Sequence, residues 1–130
     1  MTQSKTKATA GWVLSGIVAL FLIGVSAPGK FVEWEGKEKM FEHLGFTVDL
    51  IKQIGVLEIT LTILFVIPRT GFLGAILLTG YLGGATVVHL RVNDPFYFPV
   101  IVGVLMWIGL ALRQPEIWGL AFGGKCARQS

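Results

Sequence analysis

The sequence predicts an all-α integral membrane protein, a four-helix bundle with an interfacial amphipathic segment between its first and second helices. Of the 130 residues, 53% are hydrophobic and only 15% are charged, and the mean hydropathy is +0.70. Soluble domains carry about 25% charged residues. The apolar residues form four long segments, each close to the length that a helix needs to cross a bilayer: 10–27, 50–67, 71–90 and 96–113.

The first apolar segment follows a polar stretch, residues 1–9, that we predict to be a flexible tail. Val25-Ser26-Ala27 resembles the small-residue cleavage site of a signal peptide. Pro28 would directly follow the cut, which disfavours cleavage, so we expect the first helix to be retained. Pro28-Gly29 should end or kink this helix, because proline removes a backbone donor and its ring crowds the preceding turn.

Residues 28–49 contain most of the acidic side chains. Within them, Gly36 to Leu44 places Met40, Phe41 and Leu44 at helical spacing with charged residues between. This pattern predicts a short amphipathic helix at the membrane interface, with Phe31 and Trp34 as aromatic anchors.

Very short turns at 68–70 and 91–95 make the second, third and fourth apolar segments antiparallel neighbours. We therefore predict one transmembrane domain over residues 10–115 and a C-terminal tail over 116–130.

The basic residues predict the orientation of this domain. Excess Lys and Arg mark the cytoplasmic side of a membrane protein, so we expect both termini in the cytoplasm and the chain in the inner (plasma) membrane of a bacterium. No basic stripe with interleaved aromatics occurs, so nucleic acid is not an expected partner. The flanking residues on the predicted inner side are Lys5, Lys7, Arg69, Arg113, Lys125 and Arg128, against Lys30, Lys37, Lys39 and Arg91 outside.

Glu58 is the most informative single residue. It lies about eight residues, or ~12 Å, into the second segment, where an unpaired carboxylate costs several kcal/mol. Gly55 and Thr62 share its helical face, which favours an inward or cavity-lining position. Two interpretations remain open: Glu58 binds a ligand and handles protons, or it makes only a structural hydrogen bond between helices.

The third segment offers a polar face that could meet Glu58. The residues Thr79, Gly83, Thr86 and His89 fall on about a third of the helix circumference. The short turn should place Glu58 level with Gly80 and Tyr81. We therefore predict a pocket open to the outer side, with Glu58 and His89 as catalytic residues and substrate-binding residues Lys30, Lys52, Tyr81, Thr86, Arg91 and Trp107. In the alternative, His89 is only a satisfied interfacial residue and Lys52 extends its ammonium to the bilayer surface.

Other chemistry has little support. Cys126 has no cysteine partner, the two histidines lie apart at positions 43 and 89, and we expect no metal site. The glycines of Gly80-x-x-x-Gly84 favour close helix packing, either inside one bundle or in a homodimer.

The stretch 55–92 resembles the central signature of the DoxX-like membrane proteins. In that family a glutamate in the second span is followed by a Pro-Arg-Thr turn and a glycine-rich third span that ends in histidine. Here those features are Glu58, Pro68-Arg69-Thr70, Gly71 to Gly84 and His89. Gly29-Lys30-Phe31 is similar to the family's lysine motif, and the resemblance covers about residues 11–115.

The resemblance implies a four-helix membrane bundle and leaves open whether the chain is an enzyme. One hypothesis is a membrane oxidoreductase component that binds a quinone-like lipophilic substrate in the intramembrane polar pocket. A quinone would then be its cofactor, and a redox protein its partner. The alternative is a non-enzymatic assembly factor or chaperone for a client membrane protein, or a protein that binds membrane lipid or a small molecule.

Overall fold

The computed structural model describes residues 5–123, which form helices and turns without a β-strand. The all-helical class predicted from the sequence is thereby confirmed. In chain order, the helices are α1 (Lys5–Phe21), α2 (Pro28–Phe31), α3 (Lys37–His43), α4 (Val48–Val66), α5 (Gly71–Arg91), α6 (Tyr97–Arg113) and α7 (Glu116–Phe122). A π-helical segment, Leu22–Ser26, continues α1, and a 3₁₀ turn, Pro68–Thr70, precedes α5.

Within residues 5–123, two stretches are long and apolar enough to cross a membrane, Lys5–Phe31 and Pro68–Arg91. A third candidate combines α6 with α7, which are bent by 119° relative to each other. Two of the four predicted spans therefore differ from simple apolar helices. The helix α4 contains Asp49, Lys52 and Glu58, and α6 has only 17 residues.

The ends of the predicted domain also differ from the structure. Helix α1 begins at Lys5, so residues 5–9 are helical rather than part of a tail. Helix α7 lies where the sequence predicted a C-terminal tail. The rest of both predicted tails, residues 1–4 and 124–130 with Cys126, lies outside the described residues.

The first helix changes its winding just before Pro28. Over Leu22–Ser26 the helix widens, and the Ala27 amide donates to the Leu22 carbonyl at 2.9 Å. Proline at the start of α2 cannot donate a backbone hydrogen bond, and π-helical turns of this kind are rare and often lie at functional sites. The predicted break at Pro28 is therefore a wide turn followed by the short helix α2.

The long helices pack in a closed sequence of contacts. Helix α1 packs against α6, α6 against α5, α5 against α4, and α4 against α1 with its π-helical continuation. Their shared core contains Val18, Leu22, Leu61, Phe65, Ala75, Leu78, Leu82, Met106 and Leu110.

Helix α3 forms a second, smaller core with the adjoining ends of α4 and α5. Phe41 and Leu44 are buried against Ile51, with Val88 of α5 packed beside them. A short helix is thus present in the predicted segment. Its buried residues are Lys37 and Phe41, whereas Met40 is half-exposed.

Close helix contacts occur at glycines other than the predicted pair. A Cβ atom at Gly11 would lie 2.6 Å from the Arg113 backbone nitrogen, and one at Gly109 would lie 2.8 Å from Ser15 Oγ. In contrast, a Cβ at Gly80 or Gly84 would meet no atom within 4 Å. The Gly80-x-x-x-Gly84 motif therefore does not bring helices together within this chain.

Arg113 joins three helices where the sequence suggested only a flanking charge. The side chain is buried, with 5% of its surface exposed. Its Nε donates to Ser15 Oγ on α1 at 3.0 Å, and Nη2 donates to the Phe65 carbonyl on α4. The guanidinium carbon lies 4.3 Å from the Trp12 ring centroid and 4.8 Å from that of Phe65. These contacts fix α1 and α4 to the end of α6.

Alanine at two glycines tests this packing. Gly11→Ala places a methyl group against backbone atoms of α6 that cannot move cheaply, so we expect a loss of about 1–3 kcal/mol in the free energy of unfolding. Gly83→Ala is the control, because its methyl group meets no atom within 4 Å, and alanine should stabilise that helix by up to about 1 kcal/mol. Thermal melting of both variants in detergent, followed by circular dichroism, measures the difference. A Gly11→Ala melting temperature at or above wild type would contradict the packing.

Candidate functional site

A cavity of about 650 Å³ lies between the end of α1, helices α2 to α5 and the start of α6. Most of its lining is apolar or aromatic, as in sites for small lipophilic molecules. The polar or titratable side chains on its wall are Ser26, Lys30, Trp34, Glu58, Tyr81 and His89.

Glu58 is the buried acid of this wall, with 1% of its surface exposed. Its Oε1 accepts a hydrogen bond from Lys30 Nζ at 2.9 Å, and Oε2 accepts one from Ser26 Oγ at 2.7 Å. Both neighbours act as donors, which is the arrangement that an ionised carboxylate requires. Glu58 therefore forms a buried ion pair with Lys30 instead of the protonated hydrogen bond that the sequence left open.

Glycine brings the two partners together. A Cβ at Gly55 would lie 2.7 Å from the Phe31 ring and 3.3 Å from Lys30 Cβ. A side chain at position 55 would displace the Phe31 ring and press on Lys30, so glycine here favours the close approach of α2 to α4, one turn before Glu58. The predicted small face of Gly55 thus serves the ion pair directly.

Ser26 is the site residue that the sequence analysis missed. Lys30 Nζ donates to the Ser26 carbonyl at 3.1 Å and to Ser26 Oγ at 3.0 Å, so the ammonium group has three acceptors including Glu58. The i, i+4 spacing of Ser26 and Lys30 around a helix-breaking proline is the signal that could have revealed it.

Lys37 holds the backbone beside this network. It is 1% exposed, and its Nζ donates to the carbonyls of Lys30 at 3.1 Å and Val32 at 3.0 Å. Its nearest carboxylate, that of Glu33, is exposed and lies 3.8 Å away. Lys37 thus stabilises the carboxyl end of α2, a role that its place in a charged stretch did not suggest.

Tyr81 and His89 complete the polar wall from α5. The Tyr81 side chain interacts with the Glu58 carboxylate, at the level the sequence predicted. His89 lines the same cavity, and its Nδ1 lies 2.7 Å from the Ala85 carbonyl. Of the eight predicted site residues, the structure therefore brings four to one cavity: Lys30, Glu58, Tyr81 and His89.

The other four predicted site residues do not line this cavity. Lys52 and Arg91 are exposed. Thr86 Oγ1 donates to the Leu82 carbonyl of its own helix at 2.8 Å. Trp107 Nε1 donates to Thr79 Oγ1 at 2.7 Å and lines a second, apolar cavity of about 600 Å³ beside α7.

The rotation of α5 determines which of its residues line the cavity beside Glu58. The cavity face includes Tyr81, Gly84, Ala85 and Val88. At 100° per residue, it is centred about half a turn from Thr79, Gly83 and Thr86. These three residues of the predicted polar face therefore lie on another side of the helix, and of that face His89 alone lines the cavity. Among residues 5–123, no group of three or more His, Cys, Asp or Glu side chains lies close enough to hold a metal ion.

Separate removal of each charge tests the ion pair. Lys30→Met leaves Glu58 buried and unpaired, so we expect a loss of about 3–5 kcal/mol in the free energy of unfolding. The double variant Lys30→Met/Glu58→Gln removes both charges and should recover at least half of that loss. Lys39→Met, at an exposed position of α3, should change stability by less than about 0.5 kcal/mol. Denaturant titration in detergent measures these three variants and Glu58→Gln alone, and additive effects of Lys30→Met and Glu58→Gln would contradict a direct pair.

Comparison with known proteins gives a match to one family. No curated protein and no solved structure matches the chain. The model of the DoxX-like family matches residues 13–109, a range that contains every polar residue of the cavity wall. Because this match covers about three quarters of the chain, the protein belongs to the DoxX-like family.

Proposed function

We propose that α4 and α6 cross the bilayer beside α1 and α5, so that the four long helices form a membrane-spanning bundle. The contacts of the long helices support this, because each is packed between two others. The charge within α4 that lies deepest, Glu58, is neutralised by Lys30. Lys52 is exposed near the start of α4, where a lysine can extend to the interface. In this arrangement α2 and α3 lie at the outer interface, and both termini are cytoplasmic in a bacterial inner membrane.

We further propose that the protein binds a quinone-like lipophilic molecule in the cavity beside Glu58, as a component of a membrane oxidoreductase. The cavity itself carries this proposal. Its volume of about 650 Å³ falls within the range of small-molecule sites, and such sites combine apolar walls with a few convergent polar groups. A buried, paired carboxylate on a mostly apolar wall is a mark of function at membrane depth.

The residues present would divide the work of binding. The apolar wall, which includes Leu22, Phe41, Val88 and Phe98, would hold a ring and an alkyl tail. Glu58, Tyr81 and His89 would orient the polar head and exchange protons with it. A bound quinone would supply the redox chemistry, and a partner protein would supply or receive the electrons.

A non-enzymatic role is the second candidate, and one observation favours it. Ser26, Lys30 and Glu58 already satisfy one another, as the groups of a purely structural link between α2 and α4 would. In that case the protein would assist a client membrane protein or bind a lipid. Glu58→Gln would then alter the amount of the client in membranes without altering any turnover.

Leucine at two adjacent glycines tests ligand binding in the cavity. Gly84 lines the cavity and Gly83 does not, although a Cβ at either meets no atom within 4 Å. Gly84→Leu should fill part of the cavity and weaken binding of a short-chain benzoquinone and of its hydroquinone by about tenfold or more, which is about 1.4 kcal/mol. Gly83→Leu should bind like wild type. Quenching of Trp34 fluorescence, with Trp34→Phe as the blank, reports binding because Trp34 is on the cavity wall.

Absence of quenching in wild type with both probes, or equal weakening by both leucines, would contradict the proposed site. The mass of the Gly84→Leu variant in detergent also tests the homodimer proposed from Gly80-x-x-x-Gly84. A lower mass than wild type with folding intact supports that interface, and an unchanged mass opposes it.

A further inference from the structure

We infer that the cavity beside Glu58 selects ligands that donate hydrogen bonds: a neutral lipophilic molecule with free hydroxyl groups, such as a hydroquinone, in preference to the corresponding quinone. This inference rests on the proposed function, and it names the chemical form that the same site favours. It follows from the hydrogen-bond donors on the cavity wall, because these donors already have acceptors within the protein.

The two hydrogen-bond donors nearest to Glu58 already donate to acceptors within the protein. An ammonium group has three hydrogens, and Lys30 Nζ has three acceptors: the Ser26 carbonyl, Ser26 Oγ and Glu58 Oε1. A serine hydroxyl has one hydrogen, and that of Ser26 is directed to Glu58 Oε2. Neither side chain has a hydrogen left for a ligand.

The remaining side-chain donors on the wall are used as well. Trp34 Nε1 donates to the Gly29 carbonyl at 2.9 Å. Tyr81 interacts with the Glu58 carboxylate, which can only accept, and this negative charge attracts the phenol hydrogen away from a ligand. His89 Nδ1 faces the Ala85 carbonyl, which also can only accept. Nδ1 therefore carries a ring hydrogen, and in the tautomer with this one ring hydrogen Nε2 is an acceptor.

What remains on this wall is a set of acceptors. An ionised carboxylate can accept about four hydrogen bonds, and Glu58 receives those of Lys30 and Ser26 besides its interaction with Tyr81. The Tyr81 oxygen and His89 Nε2 also have free lone pairs. A quinone carbonyl can only accept, so it would lie against other acceptors and lose its hydrogen bonds to water. A hydroxyl group would be satisfied by the same wall.

Charge excludes the other donor class. An ammonium ligand could also donate to Glu58, but Lys30 already lies 2.9 Å from that carboxylate and neutralises it. A second cation would be repelled by Lys30 in a low-dielectric site. The structure therefore favours a neutral hydroxyl over an amine.

Three probes with one carbon skeleton separate these possibilities: an alkyl hydroquinone, its benzoquinone and its dimethyl ether. The wild-type protein in nanodiscs is titrated with each probe by calorimetry without oxygen, and empty nanodiscs serve as the blank. We expect the hydroquinone to bind about tenfold or more tightly than either of the others, since only it can donate. Quinone or ether binding as tightly as the hydroquinone would overturn the inference while leaving the proposed function intact. Absence of binding by all three would overturn both.

A variant links the preference to Glu58. In Lys30→Met/Glu58→Gln, the glutamine amide adds a donor and the carboxylate is gone, so the preference for hydroquinone should fall below about threefold. The exposed substitution Lys39→Met should keep the wild-type preference. Retention of the full preference by a folded double variant would overturn the assignment to Glu58.

Discussion

The cost of burying a carboxylate away from water is the constraint on which this structure depends. An unpaired buried charge costs several kcal/mol, and Glu58 is 1% exposed. Its partner, Lys30, lies on α2, beyond a wide π-helical turn and a proline. Gly55 allows α2 to approach α4, and Lys37 holds the carbonyl of Lys30. The π-helical turn, the proline, Gly55 and Lys37 together hold the Lys30 ammonium group beside the buried Glu58 carboxylate.

The helices pack closely at one end of the assembly and leave a cavity at the other end. At the Arg113 end, glycines on α1 and α6 bring backbones into contact, and the guanidinium joins three helices. At the Glu58 end, Gly80 and Gly84 face open space, and the volume that their missing side chains leave is part of the cavity. Glycine residues therefore allow close helix packing at the Arg113 end and leave space for the cavity at the Glu58 end. A rigid end beside an open one is a suitable base for a binding site, since the scaffold need not move when the cavity fills.

Much of the site could be predicted because a charged residue within an apolar helix is energetically costly, and this cost identifies Glu58. Glu58 stands out by depth alone, and the short turn at 68–70 places Tyr81 near it. The rotation of α5 could not be predicted, because nearly all of its residues are apolar or small and their periodicity does not define one face. Ser26 was missed because its position depends on a π-helical turn, and Lys37 because its charge suggested exposure. The sequence predicted α4 and α6 as membrane spans. The charged residues of α4 and the 17-residue length of α6 do not by themselves mark either helix as a span.

The ionisation of Glu58 is the claim on which both the ion pair and the acceptor character of the cavity wall depend. Infrared difference spectroscopy between wild type and Glu58→Gln in nanodiscs at neutral pH measures it directly. The account predicts that the difference contains a carboxylate stretching band assigned to Glu58, and that Lys30→Met shifts or removes this band. A band of a protonated carboxylic acid in wild type, unchanged by Lys30→Met, would contradict the account.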